Sequence, residues 1–91
     1  MEKQTKKLLE QHEGLTHSED RKVVSHVQRE DGEWMLHTLM LQDIDVPFKF
    51  RRKKRYRNLK GARVSLTYYP SVELVAGMEF EYMKVVRLRT S

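Results

Sequence analysis

Cysteine is absent from this chain of 91 residues, so no disulfide can brace its core and no thiolate can act as nucleophile or metal ligand. Long apolar runs are absent as well. No window approaches the roughly 20 residues of a membrane-spanning helix, and the opening MEKQTKKLLEQHEG has no apolar stretch of signal-peptide length. A soluble, unanchored, cytoplasmic protein is the expectation. Acid is missing from one long stretch. Between Lys49 and Arg63 stand nine of the 18 Lys and Arg residues and not one Asp or Glu.

Catalytic signatures are missing too. There is no phosphate-binding P-loop, no Gly-rich dinucleotide turn, no G-x-S-x-G elbow and no His-Glu-x-x-His. Asp43 and Asp45 lie in the bend QDID, where carboxylates serve turn hydrogen bonds more readily than proton transfer. General acid–base chemistry needs a pocket that shifts a pKa, and so short a chain has little interior to spare. The reading is a binding protein, not an enzyme, with no cofactor.

A chain of this length buries roughly 60–65% of its unfolded surface, enough for one modest core. Net charge is +5, yet the rest of the chain outside residues 49–63 is net acidic. Such asymmetry directs encounters with anionic partners to one place.

Residues 1–20 read as an arm. EKQTKKLLEQHE can form a short helix with Thr5, Leu8, Leu9 and His12 on one side and Gly14 as a stop, and HEGLTHSED reads as a linker. Residues 21–91 read as the domain. KVVSHVQRE and EWMLHTLMLQ flank Asp31-Gly32, a strong hairpin signal. With those two residues as the turn, Val27 faces Leu36, Arg29 faces Trp34 and His26 faces His37. Both sides of the ribbon are partly apolar, and Val24, Leu39 and Leu41 mark a patch that a second subunit could cover. Trp34 either caps the core or offers a stacking surface.

In DVPFKFR, Val46, Phe48 and Phe50 alternate inward against Lys49 and Arg51. In ARVSLTYY, Ala62, Val64, Leu66 and Tyr68 share one face, and Arg63, Ser65, Thr67 and Tyr69 the other. Pro70 then suits the first turn of a short helix ending at Gly77. In MEFEYMKVVRLR, Met78, Phe80 and Tyr82 face in and Glu79 and Glu81 face out, where they could meet Arg63 and Lys49; the pattern slips near Lys84, as at a bulge. Met35, Met40, Met78 and Met83 read as core filler. The expected fold is mainly β: a small five-stranded antiparallel barrel, of the oligonucleotide-binding or SH3-like type, with an N-terminal helical arm.

FKFRRKKRYRNLKG is the candidate site, either a loop or a short helix. Clustered cations meet phosphates, and interleaved aromatics give bases a surface to stack on. The cations are Lys49, Arg51, Arg52, Lys53, Lys54, Arg55, Arg57, Lys60 and Arg63, with Tyr56 and Tyr69 as flanking or stacking groups. The leading reading is contact with single-stranded nucleic acid or RNA. The alternative is a protein-interaction or oligomerisation module whose basic loop docks on an acidic partner, the apolar hairpin supplying a homodimer contact. His26 and His37 are close enough to share a metal, but two ligands do not make a zinc site, and no metal is expected. Such a pair disfavours double protonation and implies acid sensitivity.

Overall fold

The computed structural model describes residues 14–91. Five strands follow one another: β1 (Thr16–Asp31), β2 (Trp34–Leu41), β3 (Phe48–Arg52), β4 (Arg63–Val75) and β5 (Met78–Thr90). Their hydrogen-bonded order is β1-β2-β3-β5-β4, and β4 returns to β1, so the sheet closes into a barrel. Closure is not purely antiparallel. β3 and β5 run parallel through Phe48–Met83 and Lys49–Lys84, while every other contact is antiparallel. Among the described residues no helix is long and apolar enough to cross a membrane.

β1 makes closure possible. Its first part pairs with β4 and its second with β2, with register shifts between Ser18 and Arg21 and between Val23 and Ser25. Asp20 takes a left-handed φ of 56°, a conformation Asp tolerates better than most residues. Bend and shifts together turn the strand from one wall into the next. Thr16–Asp20 therefore belongs to β1 and not to a linker. The helix expected over residues 2–13 lies outside the described residues.

The first hairpin differs from expectation by its turn. Asp31 pairs with Trp34, Arg29 with Leu36 and Gln28 with His37, so the loop is Gly32-Glu33. Gly32 has φ 65°, and positive φ at the first loop residue is what a II′ turn requires. From Ser25 to Asp31 the slip moves each partner by two residues, so those faces stay as expected while the pairs change; beyond the bulge Val23 pairs with Leu41 and turns inward while Val24 is exposed, the reverse of the side each takes in an unbroken ribbon. Arg29 no longer faces Trp34; the Nζ of Lys53 lies over the indole, 5.4 Å from its centroid.

The helix expected over residues 70–77 is absent. β4 runs straight through Pro70, and Ala76-Gly77 turns it into β5 with φ of 52° and 80°, the paired positive values of a I′ turn. Pro70 is tolerated for a definite reason. The Met83 N–H donates to the Pro47 carbonyl (2.8 Å), so Pro70–Met83 is a non-hydrogen-bonded pair of the β4–β5 ladder. The proline nitrogen faces the other edge, where β1 has already ended. β4 and β5 thus project beyond the barrel as a two-stranded ribbon. Met78 (62% exposed) and Phe80 (46%) lie on it with no interior to face, which overturns their inward assignment.

The core is built from Val23, Leu39, Leu41, Phe48, Phe50, Val64, Leu66, Tyr68 and Val85. The alternation read for β3 and β4 holds. Phe48 meets Tyr68 edge-on at 4.7 Å, and the Tyr68 hydroxyl bonds Ser18 Oγ at 2.8 Å. Leu39 and Leu41 are fully interior, so no surface patch forms around them and Val24.

Candidate nucleic-acid interface

The basic connection after β3 is irregular, not helical, over residues 53–62. Its path is fixed from below. Gln28 clamps Tyr56 twice, its Nε2 donating to the Tyr56 carbonyl and its Oε1 accepting the Tyr56 N–H, both at 2.7 Å. The Leu59 N–H donates to His26 Nδ1 at 2.9 Å. Those anchors draw Tyr56 inward, its ring 4.6 Å from His37 and 5.8 Å from Phe50. Tyr56 is therefore half-buried against the core, its ring engaged with His37 and Phe50 and not standing free among the cations. Around it Lys53, Lys54, Arg55, Arg57 and Lys60 are exposed on an irregular backbone.

The aromatic and cationic groups converge elsewhere. A cleft of about 660 Å³ opens between the outer face of β2–β3 and the base of the β4–β5 ribbon. Alternation along β2 sends Trp34 and Leu36 outward while Met35 and His37 go in. Arg51 pairs with Leu36 and so lies beside it; Lys49, one step along β3, is the parallel-ladder partner of Lys84 on β5. Arg52 stands at the rim with its guanidinium 5.2 Å from the Phe50 ring. From the ribbon come Tyr82 and Glu73, and Phe50 and Val85 form the floor.

Four cations thus line a cleft with one acid, and that acid is occupied: Glu73 is ion-paired to Lys49. Lys49 also lies 5.4 Å from the Tyr82 ring centroid, so it links the ribbon to the barrel wall. Arg51 is held by Asp31 at 3.1 Å, a solvent-facing pair that a phosphate can replace at small cost. Trp34 is 41% exposed and Tyr82 half-buried. The partners foreseen for these cations, Glu79 and Glu81, take no part; Arg63 is bound instead to Asp20, at 3.0 Å to its carbonyl. Arg63 and Tyr69 lie on the outer face of β4 and do not line the cleft.

Of the sequence-derived site, the cleft gathers Lys49, Arg51 and Arg52, with Lys53 at its edge over Trp34. Tyr82 and Lys84 were not foreseen. The signal for them was the tripeptide Tyr82-Met83-Lys84, an aromatic and a cation two apart and so on one face of a strand. Among the described residues no three His, Cys, Asp or Glu side chains gather as a metal site.

Compared with protein-family models, with curated proteins and with solved structures, the chain matches none.

Proposed function

We propose that the protein is a non-catalytic binding domain for single-stranded nucleic acid, held in the cleft between β2–β3 and the β4–β5 ribbon. One observation carries the reading: Trp34 and Tyr82 line the same open cleft as Lys49, Arg51, Arg52 and Lys84. A single strand presents exactly two kinds of surface, flat bases and anionic phosphates. Stacking on Trp34 and Tyr82 takes the first without regard to sequence, and the four cations take the second. A duplex, whose bases are already stacked on each other, has no free base face to offer the two rings.

The strand order supports the same reading. β1 shared between β2 and β4, with a short parallel contact of β3 on β5, favours the oligonucleotide-binding type of barrel over the SH3-like one. In such barrels the face of strands 2 and 3, with the loops joining 1 to 2 and 4 to 5, is where strands bind. Lys53, Lys54 and Arg55 extend the positive field at one end of the cleft.

The test is anisotropy of labelled single-stranded RNA, single-stranded DNA and duplex DNA against salt, with heparin as competitor. About four phosphate contacts give a salt slope near −2.8, or about fiftyfold weaker binding between 50 and 200 mM salt. Preference for single strands over duplex and heparin supports the reading; heparin ranking first rejects it.

A second reading rests on the ribbon, whose Val72, Leu74, Val75, Met78 and Phe80 are exposed together. Apolar surface of that kind favours an interaction module, a homodimer joined through the ribbon. A monomer by light scattering at high concentration rejects it.

A further inference from the structure

We infer that the strand bound in the cleft continues over the outer wall of β4 and β5, its phosphates held by Lys84, Arg87 and Arg89. The inference rests on the cleft reading and gives it a direction and a longer footprint. Lys84 belongs to both places: it lines the cleft, and across the ladder it pairs with Tyr69 on the outer face. Beyond it, Arg87 pairs with Thr67 and Arg89 with Ser65.

A regular strand would not place these three cations together. Residues three apart point to opposite faces, so Arg87 should face away from Lys84. The register shift between Thr67 and Tyr68 leaves Val86 without a partner on β4, and this extra residue restores the outward direction. Val85 and Leu88 meanwhile keep turning inward, buried and half-buried. The bulge thus makes one row of cations from Lys84 to Arg89, each opposite a hydroxyl-bearing residue. Arg87 and Arg89 stand roughly 7 Å apart along the strand, comparable to neighbouring phosphates of a stretched single strand.

A hollow of about 270 Å³ lies at the far end of the row, lined by His17, Ser65, Thr67, Arg87 and Arg89. Two guanidiniums with two hydroxyls match a phosphodiester's charge and its acceptor oxygens. Among the described residues neither arginine is in a salt bridge; the acid nearby, Glu19, is taken by His17 Nε2 at 3.3 Å. His17 Nδ1 is bonded to Thr67 Oγ1 at 2.9 Å, which orders the rim.

Oligothymidylates of about 4 and about 12 nucleotides, the lower and upper parts of the range one such barrel covers, separate the two sites. Binding is measured for the wild type, for Arg87→Gln/Arg89→Gln and for Arg87→Lys/Arg89→Lys. The Gln variant is expected to weaken the long oligomer about tenfold, with a salt slope less negative by about 1.4, and to leave the short one unchanged. The Lys variant should keep most of the affinity. Equal loss at both lengths, or no loss at either, overturns the inference while the cleft reading stands. If the short oligomer does not bind the wild type at all, the cleft reading fails and this one with it.

Discussion

His26 Nε2 and His37 Nδ1 lie 3.0 Å apart inside the barrel, and their protons can be arranged in one way only. His37 Nε2 faces the Lys54 carbonyl at 3.4 Å and must carry hydrogen. A neutral His37 then accepts at Nδ1, so His26 donates from Nε2 and accepts the Leu59 N–H at Nδ1. The two imidazoles form a relay of neutral rings that pins both ends of the basic connection to β1 and β2.

Acid should break that relay. Burial is the largest cause and lowers the pKa of both histidines from the usual value; for His26 the charge of His37 adds to it, and for His37 the Lys54 carbonyl opposes it while Arg52 and then Arg55 add to the lowering. The unfolded chain therefore takes up protons first. Stability is full well above about pH 6.5, starts to fall below it and keeps falling until the folded-state pKa values are passed. Melting temperatures between pH 7.5 and 5 check this, and His37→Phe, which cannot be protonated, should flatten the dependence. A profile flat through that window contradicts it.

Gln28→Ala removes both bonds to Tyr56 and leaves its backbone groups to find other partners. Loss of about 1–3 kcal/mol is expected. Hydrogen exchange should quicken at Tyr56 and Leu59 before it does in β4, because the connection loosens first.

Glu73→Gln frees Lys49 and removes the acid from the cleft. Single-strand affinity should rise several-fold, because Lys49 no longer exchanges a carboxylate for a phosphate, while the salt slope stays near −2.8 with the same four cations on phosphate. Unchanged affinity would place the strand away from the base of the ribbon.

Ala76 holds a left-handed φ of 52° that costs an L-residue about 1 kcal/mol or more. Ala76→Asn, giving the preferred Asn-Gly pair of a I′ turn, should raise stability by about 0.5–1 kcal/mol, read as a higher urea midpoint at unchanged slope.

The sequence showed the walls better than the corners. Phe48/Phe50 and Val64/Leu66/Tyr68 alternate cleanly because one face of each strand is buried along its length. β5 reads less clearly: the ribbon half has no interior, so Met78 and Phe80 alternate with Glu79 and Glu81 without marking a core. The long hairpin was hidden by Pro70, which imitates a helix start, and by Ala76, which is not a turn residue by type. Tyr56 sat among cations and read as a stacking group; the Gln28 clamp on its backbone and the ring contacts with His37 and Phe50 come from residues distant in sequence. The cleft itself was illegible because Trp34, Lys49 and Tyr82 come from three strands brought together by the β3–β5 parallel contact, a pairing no local pattern encodes.

Trp34 is the chain's one tryptophan and lines the cleft, so its fluorescence reports on the proposed site directly. The decisive measurement is titration of the protein with an unlabelled oligothymidylate while that emission is followed. Saturable quenching, reversed by salt and weakened by Tyr82→Ala at unchanged charge, by a factor corresponding to about 1–3 kcal/mol for one stacked base, is the predicted result. Binding seen by anisotropy with Trp34 emission unmoved would contradict the account and return the site to the exposed cations of residues 53–60.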